Sequence, residues 1–176
     1  MENTLNFSFM EKFINLLMIA GKKNVAYHLF NVACHDFVLA AEKRKDMPRL
    51  SSNQRKNSVK SKKVSTRTAT DNRLLLFLQT AIKNVQPSLE GRKCRVGGTT
   101  KIIPAIVSKK RGSYLAMRWI IESAKKRKRV SKTNFSQCLT EELLDAYQKC
   151  GRPRQRRDEY HKICQASRGY LRYRWW

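Results

Sequence analysis

Acid is what this chain most lacks. Asp and Glu number 13 against 38 Lys and Arg, which leaves a formal net charge of +25 over 176 residues. A chain so unbalanced repels itself unless polyanions neutralise it. A solvated face explains a single Lys/Arg run, but not a whole chain in which basic residues outnumber acidic ones nearly three to one. The charge points to nucleic acid or an anionic membrane surface as partner. Long apolar runs are also missing. The stretch from Phe13 to Ala20 is broken by Asn15, and Leu74 to Leu78 is too short to cross a bilayer. The opening Met-Glu-Asn-Thr-Leu-Asn-Phe-Ser has an early acid and no arginine, so neither a secretory signal nor an Arg-rich transit peptide is expected there.

Reactive and metal-ligating side chains are sparse and dispersed. The five cysteines, Cys34, Cys94, Cys138, Cys150 and Cys164, are odd in number and include no Cys-x-x-Cys pair. That argues against a disulfide framework and for a reducing compartment. His161-x-x-Cys164 with Cys150 has no evident fourth ligand, so buried thiols on helix faces are expected rather than zinc. Glu141, Glu142 and Asp145 are the only dense acidic group. No acid or histidine set elsewhere completes a divalent site with them, and a solvated or protein-facing surface is expected. His28 and His35 read as packing or surface residues. Nothing assembles a general acid and base. The expectation is therefore no catalytic residue, no enzyme, no metal, no cofactor and no small-molecule substrate.

The chain is organised around the run from Ala81 to Trp119. Pro87 ends a helix, because proline disfavours helical geometry in the residue before it. Arg92, Lys93 and Arg95 crowd one strand, and Gly97-Gly98 tolerates the positive φ of a tight turn. Ile102, Ile103, Ile106 and Val107 form a β-branched return strand. Pro104 lacks a backbone donor and makes that strand an edge. A two-stranded ribbon this cationic, over about 88–107, is built to lie against something anionic.

The rest reads as helices. Phe7 to Ala20 is predicted as the first, with Phe9, Phe13, Leu16, Leu17 and Ala20 inward and Gly21 as its C′ residue. Lys22 and Lys23 follow at the negative end of its dipole. Asn24 is expected to cap a second helix that buries Val25, Leu29, Val32 and Phe37. From Lys43 to Thr70 apolar residues almost vanish, and Pro48 interrupts. This stretch is expected to be a basic insertion, disordered when free and ordered along RNA. Asp71 is expected to cap a third helix carrying Leu74, Leu75, Leu78, Ala81, Ile82 and Val85. A fourth is expected from Gly112 or Ser113, with Leu115, Trp119, Ile120 and Ala124 inward, Arg118 outward and the block Lys125–Arg129 at its end. Thr133 or Ser131 is expected to open a fifth, closed by Gly151, with Phe135, Leu139, Leu143 and Ala146 at core spacing. Pro153 is placed at N1 of a sixth, lined by Tyr160, Ile163, Cys164, Ser167 and Leu171. The end, Tyr170 to Trp176, interleaves aromatics with arginines, which suits either base stacking or packing. The fold class expected is mainly α: a bundle of about six helices with a protruding β-hairpin between the third and fourth, in a single domain over 1–176.

Several blocks, in order, resemble the small-subunit ribosomal protein seven family of universal, bacterial type. They are Lys12-Phe13-Ile14-Asn15, Leu17-Met18, Gly21-Lys22-Lys23 and Ala26; Ala81 to Glu90; Arg95-Val96-Gly97-Gly98 and Val107; Leu115 to Trp119; Glu142 to Ala146; Arg156 to Glu159; and Ala166, Arg168 and Tyr173-Arg174-Trp175. The resemblance implies a structural constituent of the small ribosomal subunit, acting in translation. It implies a seat in the head on the 3′ major domain of the ribosomal RNA, beside neighbouring head and platform proteins, with the ribbon and last helix near messenger RNA and exit-site transfer RNA. The residues expected on ribosomal RNA are Lys22, Lys23, Arg92, Lys93, Arg95, Arg111 and Arg118. Those expected near messenger and transfer RNA are Gly97, Gly98, Arg168, Tyr173 and Arg174. The chain departs from the family in its longer basic insertion, in lacking a basic arm before the first helix, in Ser167 where asparagine is common, and in Gly169 where alanine is. The double tryptophan and the wording of the fifth helix resemble plant and algal mitochondrial members. A mitochondrial ribosome, with the chain made inside the organelle, is the location implied; chloroplast and bacterial cytoplasm are the alternatives. The competing functions are an RNA-processing enzyme, or a basic DNA- or membrane-surface protein outside the ribosome.

Overall fold

The computed structural model describes residues 2–43 and 65–176, with side chains described for 9–41 and 73–176. The order is α1 (Glu2–Leu17), α2 (Lys23–Lys43), α3 (Ser65–Val85), β1 (Leu89–Val96), β2 (Thr99–Ile106), α4 (Lys109–Val130), α5 (Phe135–Tyr147), α6 (Gly151–Ala166) and a 3-10 helix at Ser167–Tyr173. Among the described residues this is a mainly helical fold with one antiparallel hairpin between α3 and α4, as expected.

The helices share one core. α1 contributes Phe13, Ile14 and Leu17, α3 Phe77, Leu78, Ala81, Ile82 and Val85, and α4 Ala116, Met117, Trp119, Ile120, Ile121 and Ala124. α5 adds Leu139, Leu143, Leu144 and Ala146. Phe37, Phe77 and Tyr147 meet edge to face with centroids 5.6–6.3 Å apart, where aromatic quadrupoles attract. Asn84, at the end of α3, ties three helix ends together. Its amide donates to the carbonyls of Ala146 (3.1 Å) and Tyr147 (2.9 Å), and its own carbonyl accepts from Arg154 (2.6 Å) and Arg157 (2.9 Å). The orphan carbonyls that close α3 and α5 are thereby partnered.

Several boundaries differ from expectation. α1 begins at Glu2 and stops at Leu17, before Ala20 (φ 52°) and Gly21 (φ 72°) turn the chain left-handed. α3 begins at Ser65 rather than at an Asp71 cap, so the tail of the stretch read as an insertion over 43–70 is helix. No proline or glycine lies between Ser65 and Val85 to stop a helix running through Asp71. The rest of that insertion, 44–64, lies outside the described residues. α4 starts at Lys109 because Ser108 is the N-cap and accepts from the Arg111 amide. α5 starts at Phe135, where Asn134 and Gln137 form a capping box, and it ends at Tyr147. Gly151 (φ 84°) opens α6 instead of closing α5, and Pro153 sits at the third position of its first turn, where its missing N–H still costs nothing.

The largest correction concerns α2. Val25 (56% exposed) and Val32 (38%) face outward, and the buried stripe is Ala26, Phe30, Ala33, Cys34, Phe37 and Ala41. Both stripes have helical spacing, so periodicity alone could not choose between them. The alanines settle the choice, because small residues let α5 come close enough for Thr140 Oγ1 to donate to the Ala33 carbonyl at 3.1 Å. The last helical stretch is likewise less buried than its spacing suggested: Cys164 of α6 is buried, but Ile163 of α6 and Leu171 of the 3-10 helix are each 47% exposed.

Candidate nucleic-acid interface

The ribbon is held in strict register, Arg92 opposite Ile103, Cys94 opposite Lys101 and Val96 opposite Thr99. Two residues make its tip, Gly97 (φ 56°) and Gly98 (φ 78°). Positive φ at both central positions is the primed turn whose twist matches the strands. Gly91 answers a different need. A Cβ there would stand 2.5 Å from Ile102 Cγ2.

Alternation divides the ribbon's cations between two faces. Arg92 and Lys101 share a face with Ile103 and Ala105, which are buried. Arg92 stacks over Trp176 at 5.3 Å, and Lys101 lies over both Tyr170 (5.0 Å) and Tyr173 (5.1 Å). These cation–π contacts dock the ribbon on the 3-10 helix and the chain end. Lys93 and Arg95 take the opposite face and are exposed. The ribbon's root is fixed at Ser88, whose amide donates to His161 Nε2 at 3.2 Å. Burial, together with the Arg157 charge, lowers the imidazole's pKa from its ordinary value.

The remaining expected contacts have distinct settings. Arg111 makes a two-pronged pair with Glu90, at 2.9 and 3.3 Å, which raises its pKa. That pair bolts the N-terminal end of α4 to β1. Arg118 pairs with Glu122 at 2.9 Å. Burial would raise the Glu122 carboxyl, but Arg156 and Arg118 hold it below the ordinary carboxylate value. Lys22, in the turn after α1, and Lys23, the first residue of α2, are both exposed, on elements other than the ribbon. Lys23 opens α2 and so stands at the positive end of that helix's dipole, which disfavours a cation there. Arg168 is exposed on the 3-10 helix, Tyr173 is half-buried beneath Lys101, and Arg174 Nε donates to the Trp176 carbonyl at 3.1 Å.

The structure thus brings Arg92, Lys93, Arg95, Gly97, Gly98, Tyr173 and Arg174 into one assembly of ribbon and chain end. Lys101, Trp176 and Glu90 belong to it as well and were missed in the sequence. Strand alternation would have put Lys101 on Arg92's face, but nothing local marks Trp176 rather than Trp175 as the docked ring. Trp175 is 80% exposed.

A helical bundle that holds a cationic ribbon against its own arginine-rich end defines a scaffold for a polyanion. The family described as Ribosomal protein S7p/S5e matches residues 2–168. The small ribosomal subunit protein uS7m of Prototheca wickerhamii is 38% identical, over 94% of this chain and 88% of its own length. The uS7m of Marchantia polymorpha is 43% identical over 58% of this chain and 45% of its own. The uS7 of Buchnera aphidicola subsp. Cinara cedri is 36% identical over 94% of this chain and 86% of its own. The chain belongs to the ribosomal protein S7 family. It is a structural component of the small ribosomal subunit and not an enzyme.

Proposed function

We propose that the chain seats on the 3′ major domain of small-subunit ribosomal RNA in the subunit head, in a mitochondrial ribosome. Its ribbon tip (Gly97, Gly98) and its end (Arg168, Tyr173, Arg174) then face messenger RNA and exit-site transfer RNA. The observation that carries this reading is the split ribbon. On one face Arg92 and Lys101 lie over rings of the chain end, although Arg92 stays exposed, and on the other Lys93 and Arg95 are exposed to an external anion. Lys22 and Lys23 offer a second contact. Arg92, Arg111 and Arg118 are exposed as well, but each already has a partner in the fold, Trp176, Glu90 and Glu122, so a phosphate there shares or replaces an existing contact. Backbone position and shape dominate, because the deep groove of an RNA helix gives side chains little to read. Relatives of both mitochondrial and bacterial type match, and the two uS7m proteins support the organelle.

The test is binding to a 3′ major domain fragment across a salt series, with crosslinked nucleotides mapped. With about 8 phosphates neutralised, log affinity falls against log salt with a slope near −7. A flat salt response, or crosslinks outside that domain, overturns the reading.

A further inference from the structure

α2 stands apart in a chain with 38 Lys and Arg. Between Lys23 and Lys43 it has neither, and its only charges are Asp36 and Glu42. α5 also lacks cations, but its acids are taken by Arg127 of α4. Among the described residues no Lys or Arg is paired with Asp36 of α2, whose Oδ1 lies 3.8 Å from His35 Nδ1. Its outer side carries Val25, His28, Val32, His35 and Leu39, spaced alternately by three and four residues. Val25 is 56%, Val32 38% and Leu39 43% exposed, and the His35 side chain is 74% exposed. At 1.5 Å per residue the stripe runs about 21 Å. It lies opposite the buried stripe of Ala26, Phe30, Ala33, Phe37 and Ala41, so among the described residues α2 packs one face and leaves a second, of valine, leucine and histidine, exposed.

We infer that this second face is a protein-docking surface. It receives a helical segment of a neighbouring small-subunit protein, with apolar residues at three–four spacing and a Lys or Arg placed to meet Asp36. The inference rests on the chain's place in the small subunit, where its macromolecular partners are RNA and other ribosomal proteins. RNA needs cations to replace its counterions, and this face offers none across two heptads. A three–four stripe of that length is what one helix presents to another. The charge also has the right sign. Asp36, its side chain 44% exposed at the edge of the stripe and 3.8 Å from the exposed His35 ring, suits a cationic partner and repels phosphate.

The experiment places a photo-reactive phenylalanine analogue at Val32 or Leu39, and at Lys93 as a control, in full-length protein assembled into small subunits. Val32 and Leu39 should give protein adducts and Lys93 an RNA adduct. RNA adducts at Val32 or Leu39, adducts to a second copy of the chain, or no adduct while water-soluble reagents still label both positions would each overturn the inference. If Lys93 crosslinks RNA in those cases, the proposed function survives and only the docking surface falls. Failure of the chain to enter subunits at all sinks the proposed function instead. A Val32→Glu/Leu39→Glu variant checks the surface a second way. It should bind the isolated RNA fragment within about twofold of the parent, and the subunits it forms should be depleted in the crosslinked neighbour. Undiminished occupancy of that neighbour counts against the surface.

Discussion

Arg127 Nε donates to Glu142 Oε1 at 2.8 Å, which joins the basic end of α4 to the acidic face of α5. The same guanidinium binds Glu141 (2.7 Å) and Asp145 (2.6 Å), so one arginine takes three carboxylates. Burial alone would lower its pKa; the three carboxylates raise it well above the ordinary arginine value. Glu142 is fully buried, and burial raises its pKa despite Arg127. The charge run Lys125–Arg129 is therefore not one surface. Lys125, Lys126, Lys128 and Arg129 face solvent, while Arg127 is a structural bolt.

Removing that bolt leaves a buried carboxylate alone. Arg127→Ala should lower stability by about 3 kcal/mol, the scale for breaking one half of a buried pair. Lys128→Ala, one residue on, should change it by less than about 0.5 kcal/mol. Adding Glu142→Gln to Arg127→Ala should recover part of the loss, because a neutral amide costs less to bury than a charge. Urea unfolding midpoints of the four proteins check all three statements.

The ribbon's cations should differ in weight. Lys93→Ala and Arg95→Ala should each reduce the salt slope of RNA binding by about 1, as lost phosphate contacts do. Arg111→Ala should reduce it less, because Glu90 already holds that guanidinium. Equal slopes for Lys93→Ala and Arg111→Ala would mean that the pairing with Glu90 does not persist on RNA.

The glycines of the ribbon should not be interchangeable with alanine. Gly97→Ala and Gly98→Ala each force a side chain into left-handed backbone, at about 1 kcal/mol apiece. Gly91→Ala should cost more, since its Cβ meets Ile102 inside the strand pair. Amide exchange at Arg92 through Ile103 should accelerate in all three, most in Gly91→Ala.

Acid should loosen the ribbon's root. The folded-state pKa of His161 lies below its ordinary 6.5, so the neutral ring is the form the fold stabilises. That contribution is complete above 6.5 and is lost as pH falls from there through the lowered folded value. Protonation puts a hydrogen on Nε2, where the Ser88 amide now donates. The parent should thus lose more stability than His161→Gln between about pH 7.5 and about pH 5.5. Parallel pH dependence in the two proteins would remove His161 from the linkage.

Much of the site could be read from local chemistry. Pro87, Gly97-Gly98 and the β-branched run announce a hairpin, because turn and strand preferences act over a few residues. Leu78, Ala81, Ile82 and Val85 announce the inner face of α3 in the same way. Reading stopped where the deciding contact was distant in sequence. Val25 and Ala26 head two equally periodic stripes, and only the closeness of α5 selects Ala26. Trp175 and Trp176 are adjacent and identical, and only the position of Arg92 separates them.

By itself the sequence determined the charge, the helical character, the hairpin and the family, because each rests on composition or on patterns within one element. Only the tertiary structure decided which cations are tied to an acid of another element. Arg111 and Arg127 look in the sequence like Lys93 and Arg95, yet acids 21 and 15 residues away along the chain bind them, whereas the partner of Arg118 is its i+4 neighbour Glu122 on the same helix. The physical reason is that a cation's availability depends on the carboxylate the fold sets beside it, and for Arg111 and Arg127 that neighbour comes from another element.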